Sequence, residues 1–267
     1  MRYREELGFA RRIAKAAGDN ARLIRARGIF VETKNDRSPV TIADKDNENM
    51  ISEAIELHYP QDGILGEEGA CKSGESGRRW IIDPIDNTRD FIRGSRFWCV
   101  LIALEEADEV LIGVAHFPLL NQTFYAARGC GSYVNSERLQ ISAIASIGDS
   151  VFCPNGLHLA AARPHLRRVV ELMQRCWSVR TFGGAYDACL LAAGKADLWF
   201  ETKAAPWDLA ALRLIIEEAN GVFFAMDGSR SIYQGTAIGC APGIAAEVRR
   251  VFGIRASTDT LSELSQS

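Results

Sequence analysis

The sequence lacks the features of several large classes of protein. No apolar run approaches the roughly 20 residues of a membrane span, and none forms the apolar centre of a signal peptide. The formal net charge is only −3, and the isoelectric point is about 5.9. A basic surface for nucleic acid is therefore not indicated. We expect a cytoplasmic protein that binds neither a membrane nor a nucleic acid.

The sequence also lacks the residue patterns of disulfide frameworks and zinc sites. Its seven cysteines are scattered, without a C-x-x-C pair, and its four histidines form no H-E-x-x-H motif. This distribution is typical of reduced thiols. Any metal ion must then be held by oxygen ligands.

What the sequence does contain is enough apolar material for a large core. It has 267 residues, of which 47% are hydrophobic and 24% are charged. Apolar spacing predicts a first helix over residues 1–28 and a second one between Asp44 and His58. Short apolar runs then predict consecutive strands at residues 64–65, 80–82, 98–104, 110–116 and 123–127. Short turns between them favour an antiparallel sheet.

From about residue 149 the pattern changes to alternating elements. Helices are predicted around residues 166–173, 186–193 and 208–219, with a strand at residues 196–201. We therefore expect an N-terminal α+β half over residues 1–148 and a C-terminal α/β half over residues 149–267. Residues 258–267 resemble a frayed polar tail.

Carboxylates stand at the ends of two predicted strands. Glu67 and Glu68 follow the first strand, and the segment Asp83-Pro84-Ile85-Asp86 ends the second. Pro84 fixes the backbone between two carboxylates that can then converge. At about 4 Å and an effective dielectric constant near 20, each converging pair costs roughly 4 kcal/mol, so such a cluster needs cations or raised pKa values. Magnesium, a hard ion that shares phosphate oxygens, meets that need.

A plainer interpretation is that Asp86 and Asp208 only cap helices, each contributing about 1 kcal/mol. However, the segment from Asp86 to Phe91 can begin a helix whose free N–H groups bind an anion such as phosphate. Metal ions and phosphate would meet at that point. The combination favours phosphate-ester hydrolysis.

Three motifs, in the same order and with fitting spacing, resemble the signatures of the inositol monophosphatase family. The motifs are Gly66-Glu67-Glu68, the run from Trp80 to Phe91 that reads WIIDPIDNTRDF, and Pro206-Trp207-Asp208-Leu209-Ala210-Ala211. The resemblance implies a layered α/β/α/β/α sandwich of the sugar-phosphatase type, usually a homodimer. It also implies two or three magnesium ions and a small phosphorylated metabolite as substrate.

The resemblance further implies a role for each residue of the site. The metal ligands would be Glu67, Asp83, the Ile85 carbonyl, Asp86 and Asp208. The catalytic residues would be Glu67, with Thr88 and Asp44 orienting the attacking water, and Glu68 would support the site. The substrate contacts would be the N–H groups of Asn87 and Thr88 on phosphate, with Gly183, Gly184, Ala185, Glu201 and Asp208 near the alcohol.

Two residues depart from the family pattern. Asn87 replaces an almost invariant glycine beside the phosphate site, and Asn220 stands where the second glycine of a closing Gly-Gly pair is missing. The substrate stays open between inositol monophosphate, placed first, and histidinol phosphate, a close second. A nucleotide 3′-phosphatase is a further alternative, and Asn87 favours another one, a catalytically weak regulatory or binding protein on the same fold.

Overall fold

A computed structural model describes residues 3–34, 38–160 and 165–254 of the protein. The predicted tail at residues 258–267 lies outside these ranges. Within them, the helices are α1 (Arg4–Arg27), α2 (Ile42–His58), α3 (Thr88–Arg93), α4 (Leu157–Ala160), α5 (Leu166–Arg175), α6 (Gly184–Ala192), α7 (Pro206–Glu218) and α8 (Pro242–Phe252). The long predicted helices are thus confirmed, with ends shifted by a few residues.

The strands of the first half are β1 (Val31–Thr33), β2 (Pro39–Thr41), β3 (Gly63–Gly66), β4 (Cys71–Lys72), β5 (Arg78–Asp86), β6 (Cys99–Glu106), β7 (Glu109–Phe117), β8 (Gln122–Ala127), β9 (Ser132–Val134) and β10 (Glu137–Arg138). The strands of the second half are β11 (Val151–Asn155), β12 (Ser178–Val179), β13 (Leu198–Glu201), β14 (Val222–Phe224) and β15 (Ala237–Cys240).

The sequence predicts that α2 follows Asp44, but the helix begins earlier, at Ile42. Thr41 is its N-cap residue, and the Asp44 carboxylate accepts a hydrogen bond from the Thr41 backbone N–H at 2.7 Å. This capping box satisfies N–H groups that have no partner within the helix. Asp44 is therefore held rigidly in the first turn.

The first sheet has the strand order β10-β9-β8-β7-β6-β5-β3-β4. The predicted antiparallel pairing is confirmed from β5 to β10, but β3 pairs in parallel with β5. The polar link after β3 carries the chain back through β4, so that β3 and β5 run in the same direction. Their carboxyl ends meet at one edge of the sheet.

The second sheet has the order β12-β11-β13-β15-β14. Alternating residues of its strands face opposite sides. Phe200 in β13 stacks on Phe252 of α8, with ring centroids 5.3 Å apart. On the other side, a side chain at Gly239 of β15 would collide with Leu191 of α6 and Ile216 of α7. Gly239 thus permits close packing of helices on this sheet.

The elements stack in five layers, as the sandwich expectation requires. Helices α1 and α2 pack on one face of the first sheet, and α7 packs on its other face. Helices α6 and α7 lie between the two sheets, and α5 contacts α8 beyond the second sheet. The division into two units at residue 148 stays a prediction. Among the described helices, none combines the length and apolar character needed to cross a bilayer.

Candidate active site

The parallel pairing of β3 and β5 brings the two strand-end acid motifs together. Gly66 lies opposite Ile82, so Glu67 and Asp83 follow side by side at the same sheet edge. Beyond Asp83 the β5–β6 ladder is interrupted until Asp86, because Pro84 has no N–H to donate. This irregularity turns both aspartates of the motif toward one cleft.

Three carboxylates converge in that cleft. Asp83, Asp86 and Asp208 each offer an oxygen atom, and these atoms lie within 4.8 Å of one another. Burial and repulsion from neighbouring carboxylates raise the pKa values of Asp83 and Asp86 well above the usual range. Burial also raises the pKa of Asp208, to about 7. Raised pKa values of this kind are typical of buried carboxylates that lie close together without a directly paired cation.

The plainer capping interpretation holds only in part. Asp208 does cap α7, because its carboxylate accepts a hydrogen bond from the Ala205 N–H at 2.7 Å. Asp86 does not cap α3, whose N-cap residue is Asn87. The Asp86 carboxylate instead accepts from the backbone of Ala185, the residue that follows Gly184 at the start of α6. Capping alone therefore does not explain why these acids converge.

The donor set fits magnesium. It consists of carboxylate oxygens. Among the described residues, Asp83, Asp86 and Asp208 form no ion pairs. Hard divalent ions prefer such oxygen donors. The Ile85 carbonyl lies beside them and accepts a hydrogen bond from the Thr88 hydroxyl at 3.2 Å. Its role as a ligand stays a prediction.

Glu67 lines the same cleft but is paired with a residue that the sequence had not singled out. The Lys34 ammonium lies 2.9 Å from Glu67 and 2.6 Å from Glu68. Burial opposes the charge on Lys34, yet these hydrogen bonds outweigh burial and raise its pKa. Burial raises the pKa of Glu68 to about 7. Lys34 thus supplies positive charge on this side of the cleft.

Thr88 and Asp44 are in contact, as their predicted shared role requires. The Thr88 hydroxyl lies 3.2 Å from Asp44 Oδ1. Asp44 is fully buried, and this burial raises its pKa. The pair lies where α2 and α3 approach each other, with the Thr88 side chain lining the cleft.

Asn87 occupies the position where the resemblance leads one to expect glycine. Its φ angle is 63° and its ψ angle 51°, a left-handed conformation that asparagine tolerates better than most residues. Its side-chain Nδ2 donates to the Phe97 carbonyl at 3.1 Å. Asn220, the other departure, likewise has a positive φ angle, of 67°. Both asparagines therefore keep the backbone turn that glycine would make.

The predicted substrate side faces these residues across a cleft of about 350 Å³. It is formed by Gly183, Gly184, Ala185 and Glu201. Glu201 ends β13 and is half-buried, and burial together with the carboxylates of Asp208 and Asp86 raises its pKa well above the usual range. The interpretation of Glu201 as a fully solvated strand end does not fit this position.

Sequence reasoning missed further residues around the cleft. Besides Lys34, these include Glu48, whose buried carboxylate accepts from the N–H groups of Glu68 at 2.8 Å and Ala70 at 2.7 Å. Glu48 stands one helical turn after Asp44, and this spacing could have indicated a shared face. Asn155, His158 and Lys203 also line the cleft, and no local pattern marks them.

Comparisons with known proteins show the family of this chain. Residues 3–252 match the sequence profile of the inositol monophosphatase family. A histidinol-phosphatase of Chlorobaculum parvum is 38% identical over 209 residues, which cover 78% of this chain and 81% of that protein. A histidinol-phosphatase of Mycobacterium tuberculosis is 35% identical over 241 residues, covering 88% and 92% of the two chains.

Among solved structures, the extragenic suppressor protein suhB of Bartonella henselae is similar, with a TM-score of 0.87 and 29% identity. The alignment covers 93% of this chain and 98% of that one. The layered fold and the acidic cleft, together with these relatives, define a phosphoric monoester hydrolase. This chain belongs to the inositol monophosphatase family.

Proposed function

We propose that this protein is a magnesium-dependent phosphatase that acts on a small phosphorylated amino alcohol, with histidinol phosphate as the preferred ester. The observation that carries the choice is Glu201, a carboxylate on the alcohol side of the cleft. No ion pair among the described residues involves Glu201, although burial and nearby carboxylates raise its pKa. A substrate ammonium group would supply the missing positive charge.

Asp83, Asp86 and Asp208 would hold the ions, joined by Glu67 and the Ile85 carbonyl, with two or three ions in all. Bound magnesium would activate a water molecule and neutralise the negative charge of the phosphate. The protein itself contributes orientation. Thr88 and Asp44 would hold the attacking water, and the N–H groups of Asn87 and Thr88 would bind the phosphate oxygens.

The known relatives support this choice of alcohol. Proteins from Chlorobaculum parvum and Mycobacterium tuberculosis that carry the name histidinol-phosphatase share more than a third of their aligned residues with this chain. An inositol-1-monophosphatase of Mesorhizobium japonicum is 32% identical, so a polyol phosphate is the second candidate. A polyol would donate hydrogen bonds to Glu201 but would leave its charge uncompensated.

The deciding experiment is phosphate release from a panel of esters. Histidinol phosphate, inositol 1-phosphate and adenosine 3′-phosphate would each be assayed with magnesium and with excess EDTA. We expect release only with magnesium and the highest kcat/KM for histidinol phosphate. Full activity after chelation would refute the metal mechanism. The absence of release from every ester would favour a regulatory protein, and a preference for adenosine 3′-phosphate would favour the nucleotide branch.

Replacement of Glu201 tests the choice of alcohol. Glu201→Gln keeps a hydrogen-bond acceptor but removes the charge. We expect kcat/KM for histidinol phosphate to fall about tenfold or more, with less than about threefold change for inositol 1-phosphate. Glu171→Gln on α5, outside the cleft lining, serves as the matched control. Equal losses for both esters would contradict the ammonium contact.

The resemblance also implies a homodimer and a cytoplasmic location. Both stay predictions. Sedimentation of the purified chain and fractionation of cells that produce it would test them.

A further inference from the structure

A buried carboxylate lies beneath the loop that forms the substrate side of the cleft. Asp187 belongs to the first part of α6 and is fully buried. Its two oxygens accept hydrogen bonds from the Phe182 N–H at 3.0 Å and the Gly183 N–H at 3.3 Å, and from the Thr181 hydroxyl and Asn155 Nδ2, each at 3.0 Å. The mechanism proposed above does not use this residue.

Each of these donors belongs to the substrate side of the cleft or to its support. Gly183 and Asn155 line the cleft directly. Thr181 and Phe182 lead into Gly183, and the Thr181 hydroxyl also lies 2.9 Å from Asn155 Oδ1. One carboxylate therefore ties the end of β11 to the loop that precedes α6.

The loop needs such support because its own backbone is irregular. Gly183 has a φ angle of 129° and a ψ angle of 139°, a conformation open essentially to glycine alone. A Cβ atom there would lie 3.1 Å from the Asn87 Nδ2 atom, so the loop closely approaches the turn that carries the proposed phosphate contacts. A small displacement of the loop would therefore change the shape of the cleft.

We propose that Asp187 is a positioning residue that fixes the Thr181–Gly183 loop in the form that receives the alcohol part of the substrate. This inference rests on the proposed function. Asp187 does not line the cleft, so it acts through the loop and through Asn155. Removing its charge should weaken recognition of the alcohol and leave the phosphate and metal contacts in place.

The test is Asp187→Asn, which keeps the size of the side chain. A carboxamide has only one accepting atom, so in either orientation its NH2 group faces a backbone N–H donor, that of Phe182 or that of Gly183, where a carboxylate oxygen had accepted. We expect KM for histidinol phosphate to rise about tenfold while kcat changes less than about threefold. The inhibition constant of inorganic phosphate, which has no alcohol part, should change less than about twofold.

Asp197→Asn is the matched control. Asp197 is also a buried carboxylate, and it accepts hydrogen bonds from the Val151 N–H at 2.7 Å and from the Ser142 hydroxyl. It lies outside the cleft lining. We expect this variant to lose thermal stability but to keep the KM of the wild type, which separates loop positioning from a general loss of stability.

If Asp187→Asn does not fold, Thr181→Val carries the same test. Thr181 is exposed, so valine fits, and the change removes a hydroxyl that contacts Asp187 and Asn155. We expect KM to rise about threefold. An unchanged KM in a folded variant, with normal wild-type turnover, overturns this inference alone. A wild-type protein that hydrolyses no ester overturns the proposed function itself.

Discussion

Helix α7 contributes to two groups of charged residues that differ in the signs of the charges they bring together. Near its N-terminal end, Asp208 joins the converging carboxylates of the cleft. Further along the helix, Arg213 lies 3.2 Å from Glu217 and 3.0 Å from Glu109. The Arg213 side chain is only 2% exposed. One group collects like charges, whereas the other pairs opposite charges.

The pKa values of carboxyl groups shift in opposite directions in the two groups. Burial would raise the pKa of Glu217, but contacts with Arg230, Arg213 and Arg128 outweigh burial and lower it. Asp208 forms no ion pair among the described residues, and burial outweighs the hydrogen bond from Ala205 and the charge of Lys203, so that its pKa rises to about 7. The paired group can stabilise the fold on its own. The cleft group makes its carboxylates available to an added cation, which is what a metal-dependent phosphatase requires.

The largest expected effect follows from neutralising one member of the cleft. Asp86→Asn and Asp208→Asn should each lower kcat about a thousandfold or more, because a ligand charge is lost. The metal-free fold should stay intact or become slightly more stable, because repulsion is relieved. Phosphate release and thermal unfolding in EDTA would measure the two effects. If both variants unfolded yet kept turnover, helix capping would be their main role.

The paired group should give the opposite result. Arg213→Met removes a buried charge and leaves Glu109 and Glu217 with fewer partners, so we expect a loss of about 3 kcal/mol in the free energy of unfolding. Turnover in magnesium should change little. Arg230→Met is the control, because Arg230 contacts the same Glu217 from a side chain that is 53% exposed. It should cost about 1 kcal/mol or less. Equal losses in the free energy of unfolding of the two variants would contradict the role assigned to the buried Arg213.

The pH dependence of stability sharpens the comparison further. A carboxyl group whose pKa rises on folding binds more protons in the folded state, so its contribution to stability is lost as pH rises. For Asp208 this loss should run from about pH 4 to about pH 7. In EDTA, Asp208→Asn should therefore match the wild type near pH 4 and melt a few degrees higher near pH 7.5. Added magnesium should raise the melting temperature of the wild type more than that of Asp208→Asn. A difference in melting temperature that is the same at all pH values would contradict this account.

Sequence patterns predicted the parts of the fold that local spacing determines. The apolar periodicity of α1 and the strand runs in β5, β6 and β7 are long enough to be recognised. Strands of two or three residues, such as β1, β10 and β12, are too short to carry a period. The parallel pairing of β3 with β5 depends on the route of the polar link between them, and spacing within a strand carries no information about that route.

The residues of the site also differ in whether a local sequence pattern predicts them. Pro84 between Asp83 and Asp86 is a local signal, and it predicted the convergence of carboxylates that the structure shows. Asp208 joins that cluster only through the fold, and the family resemblance was needed to connect it. Lys34 and Asp187 were missed because their partners, Glu67 and the Thr181–Gly183 loop, meet them only after tertiary packing. Residues that support a site are harder to predict than residues that form it.

The smallest expected effect concerns Asn87, an uncharged residue of the cleft, and it tests whether charge alone sets the activity. Its backbone already adopts the left-handed turn, so Asn87→Gly should keep the N–H groups in place. The carboxamide donates to the Phe97 carbonyl and lies near Gly183 and Gly184 on the substrate side. We therefore expect kcat to change less than about tenfold, equivalent to about 1.4 kcal/mol, with a larger change in which alcohol is preferred.

Steady-state kinetics with histidinol phosphate and inositol 1-phosphate would measure both effects. A much larger loss of kcat at unchanged magnesium affinity would make the side chain itself catalytic, whereas a large gain would mean that asparagine has adapted this cleft to binding rather than turnover.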